Sequence, residues 1–491
     1  MQPNNDKLNL LSFSGKYKIL HMTWFAFFLS FVMWFSYAPL LGALRESLQL
    51  TDQQIKALLI LNVALTIPAR IIVGMLVDML GPKRMFGILL FVSSLLCFGY
   101  AFAEGYEQIA LMRFLMGFSG AGFVIGIRMV SEWFPAKQLG LAEGIYGGWG
   151  NFGSAAAAIS LPTLALMYGG DDGWRYAIAT TGAIALVYSI IYFFSVSDTP
   201  KGSTYFKPKR SGAMEITSKG DFFLYLIMNI PMYVALAVLT WKLSPVNIGL
   251  ISEAITNLVY TSLAGMYLFQ TIRIIQINKH VFSKDVPEIE RYKFRQVAVL
   301  NLSYMVTFGS ELSVISMLPL FFMDTFELSP VSAGMIASIY AGLNLIMRPA
   351  GGLISDKYGR KASLVIIMTG LAVGYFLMSQ MGKDWSILAA VGVTIFSSIF
   401  VNAGNGAVFA VVPLIKRRLT GQVAGMSGAY GNVGAVAFLT TLSFVSTEIF
   451  FLVIAGAAIF TLITIVLFME EPRGHMAEVL PDGTVQMIEV S

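Results

Sequence analysis

This chain of 491 residues has a single cysteine, Cys97, and three histidines, His21, His280 and His475. One cysteine excludes an intrachain disulfide, and so few imidazoles and thiols form no metal-ligand spacing. Charge is scarce too: Asp, Glu, Lys and Arg make up 12% of the residues, about half the usual share of a soluble domain. With a hydrophobic fraction of 56% and a mean hydropathy of +0.71, that deficit excludes a soluble fold and points to a polytopic helical membrane protein. No nucleotide-binding pattern is present, so neither enzymatic activity nor a cofactor or nucleic-acid partner is expected.

The formal net charge of +5 is unevenly spread. Basic residues cluster in alternate loops: Pro82-Lys83-Arg84, Ala136-Lys137, Lys207 to Arg210, Lys357 to Lys361 and Lys416-Arg417-Arg418. The loops between them are acidic or neutral, as in Glu104 to Glu107, Asp171-Asp172 and Asp324 to Glu327. Under the positive-inside rule this alternation assigns the basic loops to the cytoplasm of a cell inner (plasma) membrane. The apolar run after Tyr17 lacks a small-residue cleavage site and reads as a retained first span.

Spans of about 20 apolar residues are expected at 18–43, 53–80, 85–103, 107–134, 137–167 and 174–195. A second set is expected at 293–323, 330–355, 361–380, 384–413, 419–445 and 447–469. The expected organisation is a six-helix bundle over 1–198, a linker region over 199–292, a second six-helix bundle over 293–469 and a cytoplasmic tail over 470–491. The linker region holds two further apolar segments, Phe222–Lys242 and Pro245–Ile275. An even number of extra crossings preserves the orientation of the second bundle, so fourteen spans are expected, with a horizontal or re-entrant pair as the alternative. Both termini then lie in the cytoplasm. In the tail, Pro481-Asp482-Gly483 reads as a turn.

The two sets of spans share a text. Gly144-Ile-Tyr-Gly147-Gly148-Trp-Gly150-Asn151-Phe-Gly153 is answered by Gly425-Met-Ser-Gly428-Ala-Tyr-Gly431-Asn432-Val-Gly434. Arg70-x3-Gly74-x3-Asp78-x2-Gly81 is answered by Arg348-x3-Gly352-x3-Asp356-x2-Gly359. The chain is therefore a tandem of two homologous halves.

Arg70 and Arg348 each stand 11 residues before a turn glycine, which is about 16 Å of helix. Half of the hydrocarbon core is about 15 Å, so both arginines fall near mid-depth, beyond the reach of either interface. A charge there needs a partner. One reading is a structural ion pair with Glu311 or Glu132; the other is an anion shared between the two halves. A guanidinium stays charged and offers a flat two-pronged donor, which suits a small trigonal anion with coplanar oxygens. The glycines at 144, 147, 150 and 153 line one helix face and admit close approach. Beside Gly150 and Gly431 stand Asn151 and Asn432, uncharged donors able to bond an anion's oxygens.

The turn segments resemble the GxxxDxxGRK loop signature of the major facilitator superfamily, with Pro82 departing from it in the first copy. That likeness implies a cytoplasmic gate formed by Asp78, Arg84, Asp356 and Arg360. The duplicated GxxGxGNxG-like motif, together with Gly404-Asn-Gly-Ala-Val-Phe409 and Tyr304-x3-Phe308-Gly309, is similar to the nitrate/nitrite porter family of that superfamily. The resemblance implies that Arg70 and Arg348 clamp nitrate or nitrite, aided by Asn151, Tyr304, Phe123 and Phe308, with Phe35 a weaker match.

Other intramembrane charges read separately. Arg128 and Glu132 are spaced to pair across one helical turn, and Arg113 is placed to serve an outer gate. Glu311 lies about two turns beyond Tyr304 and is either a salt-bridge partner or a proton site. The expectation is a monomeric importer of nitrate, with nitrite accepted, working by alternating access with proton symport. Nitrate–nitrite exchange is the alternative, followed by a sensor that binds the anion without moving it.

Overall fold

The computed structural model describes residues 9–51, 54, 58, 61, 63, 65–208, 212–283, 286–328, 330–479 and 484–489. The first half contains α1 (Gly15–Phe35), α2 (Leu41–Leu48), α3 (Thr66–Leu80), α4 (Pro82–Ala101), α5 (Tyr106–Met116), α6 (Gly122–Trp133), α7 (Ala136–Tyr168) and α8 (Gly173–Ser195). The linker region forms α9 (Lys219–Leu243), α10 (Glu253–Asn278) and the short α11 (His280–Ser283). The second half contains α12 (Phe294–Phe326), α13 (Pro330–Gly342), α14 (Asn344–Tyr358), α15 (Arg360–Ser379), α16 (Ile387–Phe409), α17 (Thr420–Leu442) and α18 (Thr447–Phe468).

Among the described residues, ten helices are long and apolar enough to cross a membrane, including α9 and α10. Large side chains such as Ile190, Phe194, Leu268, Phe269, Leu388 and Leu467 stand exposed on their outer faces. Lipid, not water, is the medium that makes such faces stable.

Where the helices depart from the expected spans, the chain supplies the cause. The first ends at Phe35, not near 43, because Pro39 sits in a 3-10 turn over Ala38–Leu40. The span expected at 107–134 is divided by a 3-10 segment, Gly117–Ala121, and the one at 330–355 is divided at Leu343. Parts of the span at 53–80, the end of the basic run at 207–210, and the Pro481-Asp482-Gly483 turn lie outside the described residues. The tail is more ordered than its polarity implies. Strands β1 (His475–Val479) and β2 (Val485–Glu489) pair antiparallel, from His475 opposite Glu489 to Val479 opposite Val485.

The duplication governs the turns as well. Gly81 and Gly359 take φ of 90° and 96°, a conformation that side chains bearing Cβ rarely adopt, and each reverses the chain into the next helix. Asp198, just past α8, accepts the Lys83 amide at 2.7 Å. Glu471, just past α18, accepts the Arg360 and Lys361 amides at 2.6 and 2.7 Å. In each half an acid beyond the last helix thus satisfies amides at the start of the third long helix, where backbone donors lack partners. The halves meet along two matching crossings, α7 against α14 and α3 against α17. The inserted α9 rests on α12 and α17, and Tyr430 donates its hydroxyl to the Met228 carbonyl at 2.6 Å.

Candidate anion-binding site

Each arginine is the fifth residue of a helix that begins at an interruption: Arg70 in α3 after Leu65, Arg348 in α14 after Leu343. Both side chains are buried, at 0% and 1% exposure. Each lies against the glycine motif of the opposite half. Arg70 Nη1 donates to the Gly428 carbonyl at 2.7 Å, and its Nε donates to Gly120 at 3.1 Å. A Cβ on Gly147 would come within 2.5 Å of Arg348 Nε, so only glycine leaves that guanidinium room.

Arg348 Nη2 donates to the Tyr304 hydroxyl at 3.2 Å, while Nη1 is buried without a hydrogen-bond partner. Among the described residues, neither arginine has a carboxylate within salt-bridge distance. The acids that offered an ion-pair reading are engaged elsewhere. Glu132 lies 3.2 Å from Arg128 and 3.7 Å from Arg417. Glu311 accepts from Asn344 Nδ2 and Asn405 Nδ2, both at 2.5 Å.

The two guanidinium carbons lie over one ring: Arg70 at 5.6 Å and Arg348 at 4.8 Å from the Phe123 centroid. Arg70 also lies 5.1 Å from the Phe308 centroid. Phe123 is parallel to Tyr304 at 6.0 Å, and Tyr304 to Phe308 at 5.0 Å. Phe409 meets Phe123 and Tyr304 edge-on at 4.4 and 4.6 Å. Phe409 closes the Gly404–Phe409 segment, whose pattern marks a functional stretch without showing that its last ring joins this cluster. Phe35 packs instead on Phe31 and Trp34.

Asn151 is 6% exposed, and both its amide atoms lack partners. Asn432 donates to Gly428 at 3.2 Å, the carbonyl that also receives Arg70, and its Oδ1 is unpartnered. A Cβ on Gly431 would strike Tyr304 and Phe308 at 2.7–2.8 Å, and one on Gly150 would strike Phe27 at 1.9 Å. Gly431 thus serves the arginine cluster, whereas Gly150 serves packing within its own half. Unpaired buried donors are costly, and two of the expected site residues carry one: Arg348 at Nη1 and Asn151 at Nδ2.

Toward the face bearing the Gly81 and Gly359 turns, the two crossings are sealed by carboxylates. Asp78 accepts the Gly421 and Gln422 amides, both at 2.9 Å. Asp356 accepts the Gly140 and Leu141 amides at 3.1 and 2.9 Å and is paired with Arg360. Asp78 therefore caps the first turn of α17, where the helix dipole favours negative charge, whereas Asp356 holds amides just beyond the first turn of α7. Arg360 Nη2 also reaches the Ala136 carbonyl at 3.2 Å.

Arg84 does not share this arrangement, being exposed at the start of α4. Arg128 takes that place instead, 3.4 Å from Asp78 with both side chains fully buried. It is further held by the Tyr205 hydroxyl at 3.1 Å and the Phe206 carbonyl at 2.7 Å. Pro82, standing where the second copy has Arg360, left the Asp78 carboxylate to be paired from α6.

A family model described as the Major Facilitator Superfamily matches residues 23–277 and 300–484. The nitrate/nitrite transporter NrtP of Picosynechococcus sp. is 45% identical over 520 residues, covering 97% of each chain. That of Nostoc punctiforme is 45% identical over 475 residues, covering 95% of each. The chain belongs to the nitrate/nitrite porter family of the major facilitator superfamily. Its fold is that of the solved proton:xylose symporter XylE, at a TM-score of 0.61 and 13% identity, covering 93% of this chain and 96% of that one.

For this porter, the Asp78–Arg128 pair gives a stability test. Asp78→Ala leaves Arg128 buried with one acid fewer, and breaking a buried pair costs about 3–5 kcal/mol. The thermal unfolding midpoint of the detergent-purified protein is therefore expected to fall clearly. Arg84→Ala, at an exposed position, should leave it near the parent value. Equal losses in the two variants would contradict the arrangement.

Proposed function

We propose that this protein imports nitrate, with nitrite also accepted, by alternating access of its two halves about Arg70 and Arg348. The observation that carries the reading is a pair of buried guanidiniums, one from each half, both over the Phe123 ring and with no carboxylate partner among the described residues. In a low-dielectric interior two such cations repel. A planar anion between them removes that repulsion and supplies bonds to the free Arg348 Nη1 and to Asn151. The parallel rings of Phe123, Tyr304 and Phe308 restrict the guest to a thin shape.

The bundles 1–198 and 293–469 are the rocking units in this reading. Helices α9 and α10 cross the membrane as a pair between them. The basic loops and both termini face the cytoplasm of the inner (plasma) membrane, and a single chain is the working unit. Asp78 and Asp356, with Arg128 and Arg360, close the cytoplasmic side when the anion has access from outside. Opening that side requires both acids to release the amides they hold in the other half.

Import against an inside-negative potential costs about 2.3 kcal/mol per charge per 100 mV, so an anion needs a coupled cation. Proton symport meets that need, and Glu311 is the first candidate carrier. It is 4% exposed and held by two neutral amides, not by an arginine. Glu311→Gln is expected to weaken accumulation driven by a pH gradient while retaining nitrate–nitrite exchange; unchanged pH dependence would dismiss the role. The whole reading is tested in proteoliposomes by imposing pH and nitrite gradients separately and following nitrate flux together with current. Uptake that responds to the nitrite gradient alone would make the protein an exchanger.

A further inference from the structure

The symport mechanism above uses one carboxyl, yet a second acid lies buried between the arginine site and the gate. Glu143, on α7, is 1% exposed, and neither of its carboxyl oxygens has a hydrogen-bond partner. It stands three residues after Gly140, whose amide is held by Asp356, and four before Gly147, which lies against Arg348. Four residues of helix are about 6 Å, so Glu143 sits about one turn from the anion site on the cytoplasmic side. The duplication sharpens its oddity. Gly140-Leu-Ala-Glu143-Gly144 matches Gly421-Gln-Val-Ala424-Gly425, so the second half builds the same crossing with alanine. The crossing itself has no need of an acid there, and a partnerless buried carboxylate opposes stability unless something compensates it.

The charges acting on Glu143 come from Asp356 and Arg348 on α14, from Arg360 at the start of α15 and from Arg417 before α17. Helix α16 carries no titratable side chain, α13 carries Tyr340, and α8 carries Arg175, Tyr176, Tyr188 and Tyr192. On α6, Arg128 and Glu132 are paired with each other. On α1, Lys16 is bonded to Gln138 at 2.6 Å, with Lys18 and His21 further along. Arg348 acts on Glu311 as well, so one guanidinium lies within the field of both acids.

We infer that Glu143 is a second proton-carrying carboxyl of the import cycle, loaded together with Glu311 when the anion neutralises Arg348 and unloaded to the cytoplasm when the Asp356 seal opens. The inference rests on the symport reading above and adds to it a charge balance. An anion bound at Arg348 cancels the positive field that favours both charged carboxylates. Each carboxylate then takes one proton from the outer side, and both protons leave after the gate opens. One nitrate with two protons carries one net positive charge inward, so the inside-negative potential drives import. With one proton lost from the cycle, transport becomes electroneutral.

The test uses the full-length protein in proteoliposomes, with nitrate as the probe and current recorded alongside flux. The parent should show inward current evoked by nitrate under a pH gradient. Glu143→Gln should still take up nitrate under that gradient but with the current lost, and Glu143→Asp should restore current. Glu143→Gln with the parent's ratio of charge to nitrate would overturn the inference. So would Glu143→Gln failing in both uptake and nitrate–nitrite exchange while Glu143→Asp fails likewise, since that marks a structural acid. A parent that moves nitrate only against nitrite, with no response to pH, would instead defeat the symport reading itself.

Discussion

Replacing either Arg70 or Arg348 with lysine is expected to abolish nitrate uptake while leaving the protein folded. Lysine keeps the charge but loses the planar fork, so the difference isolates geometry from electrostatics. A hydrogen bond to a charged group contributes about 1.5–3 kcal/mol, and each 1.4 kcal/mol is about tenfold in affinity. Each variant should therefore bind nitrate about 10- to 100-fold more weakly. The two losses need not be equal. Arg70 already donates to Gly120 and Gly428, so its fork is anchored on backbone, whereas Arg348 has one bond to Tyr304 and a free Nη1. Arg348→Lys should suffer more in affinity, because the group removed holds the unspent donor. Arg70→Lys should also lower the unfolding midpoint, because it abandons a carbonyl on the opposite half. Normal uptake by either lysine variant would exclude the clamp.

Gly352→Ala is expected to eliminate uptake by a different route. A Cβ at Gly352 would lie 1.9 Å from the Gly140 carbonyl oxygen, where ordinary contact begins at 3.4 Å, and the obstructing atoms are backbone. Rotamer change cannot relieve that clash, so α7 and α14 must separate. Overpacking of this kind costs about 1–3 kcal/mol. Here the cost falls only on the conformation in which the cytoplasmic side is closed, since the contact joins the two halves. A bias of about 2 kcal/mol shifts a two-state balance by about 30-fold. Asp356, one turn further along α14, would lose the Gly140 and Leu141 amides at the same time. The outcome is readable by thiol labelling, because the native Cys97 is buried. A Gln422→Cys probe at the other crossing, α17 against Asp78 of α3, should label from the cytoplasmic side far faster when Gly352→Ala is present, because both crossings part together. Slow labelling with normal uptake would show that the crossing tolerates the methyl group.

Much of this was legible in the residues because a duplicated chain states its constraints twice. The offset between the two arginine helices and between the two glycine helices marked the four helices that form the crossings, and helical rise alone led to the expectation of arginines at mid-depth. The repeat could not convey which half each side chain would meet. Nothing in Gly147 or Gly428 says that its partner is the arginine of the opposite half; that pairing exists only once the bundles pack face to face. The carboxylates at the crossings show the same boundary. Asp78 and Asp356 are equivalent in sequence, but Pro82 removes the local basic partner in the first copy, and the replacement, Arg128, comes from another helix. Arg84 matched the loop pattern and is nevertheless exposed, since a motif fixes spacing and not orientation. Glu143 escaped notice because a lone acid beside a glycine motif has no signature until its burial and lack of partners are visible.

The central claim is that guanidiniums from both halves hold one flat anion against the Phe123 ring. A structure of the wild-type protein with nitrate bound tests it most directly. The account predicts nitrate oxygens about 2.7–2.9 Å from nitrogens of both Arg70 and Arg348, with the anion lying over Phe123. Nitrate bound away from either arginine would contradict it, as would nitrate held by one arginine while the other keeps only its protein partners.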